Sequence, residues 1–406
     1  MIRDAEQDLR AIERGDGTMS RVHLLVLALL ASYTSSVHAA RFSIGHPLAS
    51  LRSHEVERDI GRESNGDATG ETLSAHQVEE HRPAFESFLD TFPEKREAYA
   101  DAAKYAERLE IFARNMILAA ERQAQDRGSA VHGVTQFSDL TPTEFASTFL
   151  GTNLANEDVA AIRSGMTTLP DYPVHDLPLT FDWRERGAVT PVKNQGACGS
   201  CWTFSTTGAV EGANFLKTGE LVSLSEQQLV DCDHTCDPRA PRNCDYGCNG
   251  GLPLNAMRYV RKHGLDTESN YPYKGVDGKC ASARRGPAAA SVSSFNLVST
   301  NETQIAAALV RHGPLSIGID AAWMQTYVGG VACPWICNKA GLDHGVLIVG
   351  YGVNGTAPAR PWHRRQDYWI VKNSWGPKWG VEGGYYHICK DRAACGLNTM
   401  VVAADA

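Results

Sequence analysis

The first 197 residues of this 406-residue chain contain no cysteine, although the whole chain has 11. The chain also lacks a basic excess, because 47 Asp and Glu residues outnumber 39 Lys and Arg residues, for a net charge of −8. Nucleic-acid-binding proteins usually carry a basic surplus, so that function is not expected. No apolar run approaches the roughly 20 residues that span a bilayer. We therefore expect a globular protein without a stable membrane anchor.

A short apolar run, LLVLALLA at residues 24–31, precedes small residues at Val37 and Ala39. This pattern fits the hydrophobic core and cleavage site of a secretory signal peptide. A second methionine, Met19, would begin a well-proportioned signal. We predict a signal peptide over 19–39 and interpret 1–18 as an extension of the gene model; the alternative is a signal-anchor helix.

The cysteines all lie between Cys198 and Cys395. An odd number in one half of a secreted chain indicates five disulfides and one remaining thiol. Such bonds require an oxidising compartment, so we expect a secretory-pathway protein of the vacuole, the lysosome or the extracellular space. There are two alternatives to this disulfide interpretation. One is a zinc site formed by Cys198, Cys201, Cys244 and Cys248, and the other is a thioredoxin-type redox pair formed by Cys198 and Cys201.

The region before the cysteines divides into three parts. Residues 40–80 are polar without apolar periodicity and are predicted to be disordered. Residues 81–176 begin with two apolar stripes, Phe85 to Phe92 and Tyr105 to Ala119, which predict two helices. A short strand and a helix capped by Thr141 and Glu144 should follow. Residues 150–176 show no strong pattern and are interpreted as a linker.

Charge is distributed unevenly along the chain. Residues 41–176 contain 23 acidic and 13 basic residues, whereas 177–406 contain 19 acidic and 22 basic residues. The two regions should therefore attract each other at neutral pH. Protonation of carboxylates, whose usual pKa values are near 4, would weaken this attraction.

The stretch QGACGSCWTFS at 195–205 leads into a predicted helix that begins near Cys201 and ends at Gly219. A thiol at a helix N-terminus meets unpaired amides and the positive end of the helix dipole, which lower its pKa. Such a thiol is a candidate nucleophile, which then needs a base.

The candidate base lies in a predicted hairpin formed by GLDHGVLIVGYG at 341–352 and QDYWIVKNSWG at 366–376. A register that pairs His344 with Asn373 also pairs Tyr351 with Gln366. The carboxamide would then orient the imidazole and leave its other nitrogen for the thiol. Trp375 would shield this hydrogen bond from water.

These segments resemble the papain family of cysteine proteases, whose local signature C-G-[SA]-C-[WY] matches CGSCW at 198–202. LSEQQLVDC, GCNGG and YWIVKNSWG also fit. The family's inhibitory propeptide is resembled by GVTQFSD and by the helix pattern of Arg108, Phe112, Asn115, Ala119 and Gln123. Lys104 and Thr135 depart from that propeptide pattern. The cysteine spacing around DCDHTCDP resembles the plant cathepsin F-like, RD-nineteen-type subgroup.

The resemblance implies an α+β, papain-like two-lobed fold at 177–406, with one helical and one β-barrel-like lobe, preceded by a helical propeptide domain. It implies a zymogen of a cysteine endopeptidase in which Cys201 is the nucleophile, His344 the base and then the acid, and Asn373 the orienting residue. Gln195 would stabilise the oxyanion. Trp202 and Trp375 would support the site. No metal or organic cofactor is implied.

The resemblance also assigns a substrate cleft, in which Gly250 and Gly251 let the substrate backbone approach closely. An apolar pocket would bind the residue second before the cut bond, favouring Leu, Val or Phe over Arg. Its lining residues would be Leu252, Pro253, Gly318, Leu342 and Met400.

The resemblance implies three disulfides: Cys198–Cys248, Cys232–Cys280 and Cys337–Cys395. The four remaining cysteines are assigned to two further pairs, Cys236–Cys244 and Cys333–Cys389, which the resemblance does not fix. The expected partners are peptide substrates, the chain's own propeptide and cystatin-type inhibitors, with the enzyme acting as a monomer. Asn301 and Asn354 begin glycosylation sequons. The alternative function is that of a catalytically silent binding protein.

Overall fold

The computed structural model describes residues 73–152, 154–281, 287–337, 341–355 and 366–406, all of which belong to one compact unit. The predicted extension at 1–18, the signal peptide at 19–39 and most of the segment at 40–80 lie outside the described residues. The end of that segment differs from the prediction, because Ala75–Glu80 forms helix α1. Ser74 and Gln77 form a capping box at its start, which satisfies two free backbone amides.

The N-terminal region (residues 73–176) is helical at its start. After α1 come α2 (Arg82–Thr91), α3 (Pro93–Ala98) and α4 (Ala102–Gln125). The two apolar stripes lie on α2 and α4 as predicted, and they form a small core of mostly aromatic side chains. The prediction of only two helices was wrong, because Pro93 and Asp101 each start a new helix.

The second half of the N-terminal region contains β1 (Val131–His132), α5 (Pro142–Phe149), β2 (Leu154–Ala155) and α6 (Asn156–Ser164). The predicted capping box of α5, formed by Thr141 and Glu144, is present. The linker interpretation of 150–176 was wrong for 154–164, which forms β2 and α6, whereas 165–176 contains no helix and no named strand. Both β1 and β2 pair with strands of the C-terminal region (residues 177–406).

Three helices build one side of the C-terminal region: α7 (Cys201–Thr218), α8 (Glu226–Cys232) and α9 (Pro253–His263). Helix α7 begins and ends where the sequence predicts. Gly219 follows it at a φ of 78°, a backbone conformation that glycine adopts at little cost.

An eight-stranded sheet builds the other side. Its strands are β3 (Phe181–Asp182), β4 (Ser294–Leu297), β5 (Leu315–Ile319), β7 (Val331–Ala332), β9 (His344–Gly355), β10 (Gln366–Lys372), β11 (Tyr385–Cys389) and β12 (Val401–Asp405). They are ordered β4, β12, β5, β9, β10, β11, β7, and β3 also pairs with β9. Helix α10 (Glu302–His312) precedes β5. The short strands β6 (Tyr327–Gly329) and β8 (Gly341–Leu342) pair with β1 and β2, respectively.

Strand β9 is buried on both faces and separates two hydrophobic cores. Val346 and Ile348 belong to the core that contains α10, whereas Leu347 and Val349 belong to the core that contains α7, α8 and α9. This alternation follows from the two-residue period of a strand. The chain is thus the predicted α+β protein with a helical and a sheet lobe. No helix among the described residues is long and apolar enough to cross a bilayer.

Candidate active site

Cys201 is the first residue of α7, and its thiol is completely buried. The preceding turn is fixed by the Cys198–Cys248 disulfide and by the Gly199 amide, which donates to the Cys248 carbonyl at 2.9 Å. The Cys201 sulfur accepts the Gly345 amide hydrogen, with nitrogen and sulfur 3.4 Å apart. The thiol of the helical lobe therefore touches the sheet lobe at the residue after His344.

His344 and Asn373 are in direct contact. The imidazole Nε2 lies 2.8 Å from Oδ1 of Asn373, and both side chains are buried. Because an amide oxygen only accepts, Nε2 carries the hydrogen. The other nitrogen, Nδ1, is buried and has no hydrogen-bond partner among the residues that the structure describes. Nδ1 is therefore the atom that can take a proton.

The predicted register of the hairpin was wrong, although the predicted contact is present. Tyr351 pairs with Trp369 rather than with Gln366, and the ladder between β9 and β10 shifts at two irregularities. Lys372 pairs with Leu347, so the next step places Asn373 beside Val346, two residues from His344. The side chains of His344 and Asn373 are long enough to touch as diagonal neighbours on two adjacent strands.

Trp375 covers the imidazole. The two rings stack with centroids 4.7 Å apart and planes inclined by 28°. Phe137 and Phe145 of the N-terminal region pack edge-on against the indole, with centroids 5.0 and 5.4 Å from it. The hydrogen bond between His344 and Asn373 is thus excluded from water, which strengthens it.

Gln195 lies beside the turn that precedes Cys201, and its side-chain amide is oriented by Ser374. The Ser374 hydroxyl donates to Oε1 of Gln195 at 2.6 Å. Nε2 of Gln195 donates to the carbonyl of Cys198 at 2.8 Å and to the carbonyl of Phe149 at 3.0 Å. Sequence reasoning missed Ser374, although its place directly after Asn373 was a signal that could have found it.

The N-terminal region runs directly over the thiol. The Gly151 amide donates to the Cys201 sulfur at 3.3 Å, and the hydroxyl of Thr152 lies 3.9 Å from the same sulfur. The Thr152 amide donates to the Asp343 carbonyl at 2.9 Å. Leu154 then pairs with Leu342 in the β2–β8 ladder.

The two predicted cleft glycines, Gly250 and Gly251, lie next to Gly151 of the N-terminal region. The Gly251 amide donates to the Gly151 carbonyl at 2.8 Å. A Cβ on Gly250 would come within 2.6 Å of that same carbonyl oxygen, and a Cβ on Gly251 would come within 2.7 Å of the Trp202 ring. Both positions therefore exclude a side chain, and Trp202 forms the floor beneath the second glycine.

Most of the predicted pocket residues are brought together. Leu252, Leu342 and Met400 share one buried cluster, to which Leu154 of the N-terminal region also belongs. The Gly318 amide donates to the Met400 carbonyl at 3.1 Å, and a Cβ on Gly318 would come 2.8 Å from a Leu342 methyl group. Pro253 starts α9 directly after Leu252 and is buried, but no contact places it in the pocket.

Burial governs the protonation of the covered site. Desolvation raises the pKa of the Cys201 thiol, and the amides of Gly345 and Gly151 oppose this only in part. Burial also lowers the pKa of His344 to about 4, against a weaker opposing effect of Asn373. The expected lowering of the thiol pKa by the helix N-terminus is thus overridden while the N-terminal region covers the site. The Cys201 thiol and the His344 imidazole are therefore both neutral near pH 7 while the site is covered.

Four disulfides are present: Cys198–Cys248, Cys232–Cys280, Cys236–Cys244 and Cys337–Cys395. The zinc alternative fails because three of its four cysteines are in these bonds. The fifth predicted bond is not formed: Cys333, directly after β7, and Cys389, the last residue of β11, are buried free thiols. A disulfide needs a narrow range of Cβ separation and orientation, which spacing along the sequence does not set.

The N-terminal region is held together by its own ion pairs. Arg108 binds Glu144 at 2.8 Å, and Lys95 binds the buried Asp139 at 2.7 Å. Among the described residues, the ion pairs of its carboxylates are all internal, so the expected charge attraction between the two regions is not expressed as an ion pair across the boundary. Polar contacts across the boundary instead include the Thr135 hydroxyl, which donates to the Gln325 carbonyl at 2.6 Å.

Comparison with known proteins identifies both regions. Residues 177–405 match the family model described as papain family cysteine protease, and residues 85–145 match the cathepsin propeptide inhibitor domain. A probable cysteine protease RD19C of Arabidopsis thaliana is 54% identical over 75% of this chain and 80% of its own length. Cysteine proteinase 1 of Zea mays is 51% identical, over 79% of this chain and 86% of its own length.

Solved proenzymes share the fold. Procathepsin L 3 of the Tenebrio molitor larval midgut superposes with a TM-score of 0.61 at 33% identity, over 79% of this chain and 99% of its own. A recombinant stem bromelain precursor superposes with a TM-score of 0.64 at 30% identity, over 80% and 99% of the two chains. The chain therefore belongs to the papain family of cysteine proteases and carries the inhibitory propeptide domain of that family.

Proposed function

We propose that Cys201, His344, Asn373 and Gln195 carry out peptide-bond hydrolysis in this cysteine endopeptidase. The observation that carries the proposal is the contact of the Cys201 sulfur with the residue next to His344, whose ring is held by Asn373 at 2.8 Å. This is the arrangement of nucleophile, base and orienting residue that acyl transfer requires.

In the first step, Nδ1 of His344 takes the thiol proton and the Cys201 sulfur attacks the peptide carbonyl carbon. The carbonyl oxygen becomes an oxyanion, which accepts hydrogen bonds from Nε2 of Gln195 and from the Cys201 backbone amide. His344 then returns the proton to the amine as the C–N bond breaks. Water, deprotonated by His344, cleaves the resulting thioester and regenerates the thiol.

We propose that the N-terminal region keeps this machinery inactive in two ways. It occupies the cleft with residues 149–152 and 154–155, and its aromatic side chains pack against Trp375. Covering the site also desolvates the thiol and the imidazole, which disfavours the charged thiolate–imidazolium pair. Removal of the segment would restore access for a substrate and for water.

The pocket supports a preference for an apolar residue second before the cut bond. Leu252, Leu342 and Met400 contribute only hydrocarbon or thioether surface, and the propeptide residue in the same buried cluster is itself a leucine, Leu154. An arginine there would lose its hydration without gaining a carboxylate partner. Leu, Val or Phe should therefore be cleaved faster than Arg at this position.

We further propose that the chain is made in the secretory pathway, with a signal peptide at 19–39 and a propeptide at 40–176. The four disulfides fit an oxidising compartment. Asn301 and Asn354 of the two sequons are exposed. Delivery to an acidic vacuole or lysosome would allow activation.

The test uses the full chain secreted from a eukaryotic host, acidified, and assayed with a fluorogenic peptide that has Leu second before the cut bond. An epoxide reagent that alkylates active thiols should label Cys201 stoichiometrically and abolish hydrolysis. The Cys201→Ala variant should show neither labelling nor activity, whereas Cys389→Ala should keep both. Hydrolysis that survives Cys201→Ala, or an acidified wild-type chain without activity, would refute the proposal.

A further inference from the structure

A rigid loop borders the cleft next to its two glycines. Residues 236–244 are closed by the Cys236–Cys244 disulfide. The Asp237 amide donates to the Asn243 carbonyl at 3.1 Å, and the Asp237 carboxylate pairs with Arg258 of α9 at 2.7 Å. The loop is therefore cross-linked within itself and attached to the helical lobe.

Arg242 of this loop is exposed and lines a cavity of about 380 Å³ together with Tyr246, Gly250 and Gly251. Within the described part of the chain, no carboxylate pairs with the Arg242 guanidinium, and Asp237 is already engaged by Arg258. The far wall of the cavity belongs to Gly151 and Thr152, among other residues of the N-terminal region. Removal of the propeptide would open the cavity into the cleft.

The position of a substrate side chain at this cavity follows from strand geometry. An extended peptide bonded to Gly251 would direct its second residue before the cut bond into the pocket of Leu252, Leu342 and Met400. Successive side chains of an extended chain point to opposite sides. The third residue before the cut bond would therefore point away from Leu342 and Met400, and the cavity beside Gly251 that Arg242 and Tyr246 line is the space open to it.

We propose that Arg242 is a specificity-determining residue that favours Asp or Glu as the third residue before the cut bond. This inference rests on the proposed function, because it requires a substrate bound along Gly251. The guanidinium is held at the cleft by a cross-linked loop, so less side-chain and backbone freedom is lost when it pairs with a carboxylate. A partly exposed pair of this kind changes kcat/KM by about threefold, and salt screens it.

The test compares three fluorogenic peptides that share Leu second before the cut bond and differ only at the third residue, which is Asp, Asn or Lys. For the activated wild-type enzyme, kcat/KM should fall in the order Asp, Asn, Lys. Arg242→Gln should make the three values equal, and Arg242→Glu should reverse the order. Lys262→Gln, which removes an exposed cation at the end of α9, should retain the wild-type order.

The ratio of the kcat/KM values of two peptides, measured on one enzyme sample, does not depend on how much of the enzyme has folded. A poorly folding variant therefore still gives an answer. If Arg242→Gln cannot be produced at all, the wild-type ratio should collapse towards one in high salt. An unchanged Asp-to-Lys ratio in Arg242→Gln, or a ratio insensitive to salt, would overturn the role of Arg242. Absence of hydrolysis of all three peptides would instead refute the proposed function.

Discussion

The Gly151 amide of the N-terminal region donates its hydrogen to the sulfur of Cys201 at 3.3 Å. The same glycine offers its carbonyl to the Gly251 amide at 2.8 Å. Gly151 of the propeptide thus occupies two hydrogen-bonding positions, one on the Cys201 sulfur and one on the cleft wall at Gly251. The close approach depends on the absence of a side chain, since a Cβ on Gly151 would lie 1.7 Å from the Gly199 carbonyl oxygen.

Replacement of Gly151 by alanine should therefore weaken inhibition. Relieving the clash requires the segment to move off the sulfur, at a cost of about 1–3 kcal/mol. Activity of the freshly purified full chain at neutral pH should rise by roughly 10- to 100-fold. Gly133→Ala is the matched control, because its Cβ would make only an ordinary 3.6 Å contact with Val328. Equal activity of the two variants would contradict the role of Gly151.

Release of the propeptide should be promoted by acid through His344. Its pKa is about 4 in the covered site, whereas the usual value is about 6.5. The open site therefore binds a proton that the covered site does not, so docking is strongest above about pH 6.5 and weakens as the pH falls to about 4, by up to tenfold per unit. Rates of propeptide release measured in a Cys201→Ser background should show this dependence.

His344→Gln should flatten that pH dependence, because it removes the titrating group. His175→Gln is the control, since His175 is an exposed residue near the end of the N-terminal region. A pH profile that stays equally steep in His344→Gln would assign the acid response to other groups.

Glu144→Gln should destabilise the N-terminal region. Its pairing with Arg108 lowers the pKa of Glu144 to about 2, so this stabilisation is fully present above about pH 4.5 and disappears as the pH approaches 2. The glutamine keeps the capping box with Thr141 but loses the ion pair. Because the carboxylate is partly exposed, we expect a loss of about 1 kcal/mol in the free energy of unfolding at neutral pH.

Chemical denaturation of the Cys201→Ser proenzyme measures this loss, with Glu110→Gln as the control. Glu110 forms a more exposed pair with Arg114 on the same long helix. A variant as stable as the parent protein at pH 7 would show that the pair contributes nothing.

Ser374→Ala should reduce turnover by releasing Gln195. The Ser374 hydroxyl is 2.6 Å from Oε1 of Gln195, and loss of one such hydrogen bond costs about 1 kcal/mol, or roughly fivefold in kcat. Gln195→Ala removes the donor itself and should lower kcat by about 10²- to 10³-fold. If Gln195 is the oxyanion donor, as proposed, Ser374 acts through it rather than on substrate binding, and KM should change little in Ser374→Ala.

Steady-state kinetics after active-site titration provide the readout, with the exposed Ser269→Ala as the control. A Ser374→Ala enzyme whose defect lies in KM alone would indicate a role in substrate binding.

Local sequence signals predicted the elements that position the site. Helix α7 begins at Cys201 and ends before Gly219, and β10 ends directly before Asn373. The register of the hairpin was not predictable, because the two irregularities in its ladder shift the pairing without leaving a clear pattern in the sequence. The contact between His344 and Asn373 survives because both lie at the same edge of the sheet.

The sequence by itself determined which residues are the candidates for the chemistry, since a thiol, an imidazole and two carboxamides occupy motif positions at the ends of predictable elements. Only the tertiary structure decided that Gly151 and Thr152 lie on the thiol, that Ser374 orients Gln195, and that Cys333 and Cys389 remain free thiols. A two-residue strand such as β2 has too few residues to show a periodicity. Its conformation comes from the partner strand and from the cleft surface it covers.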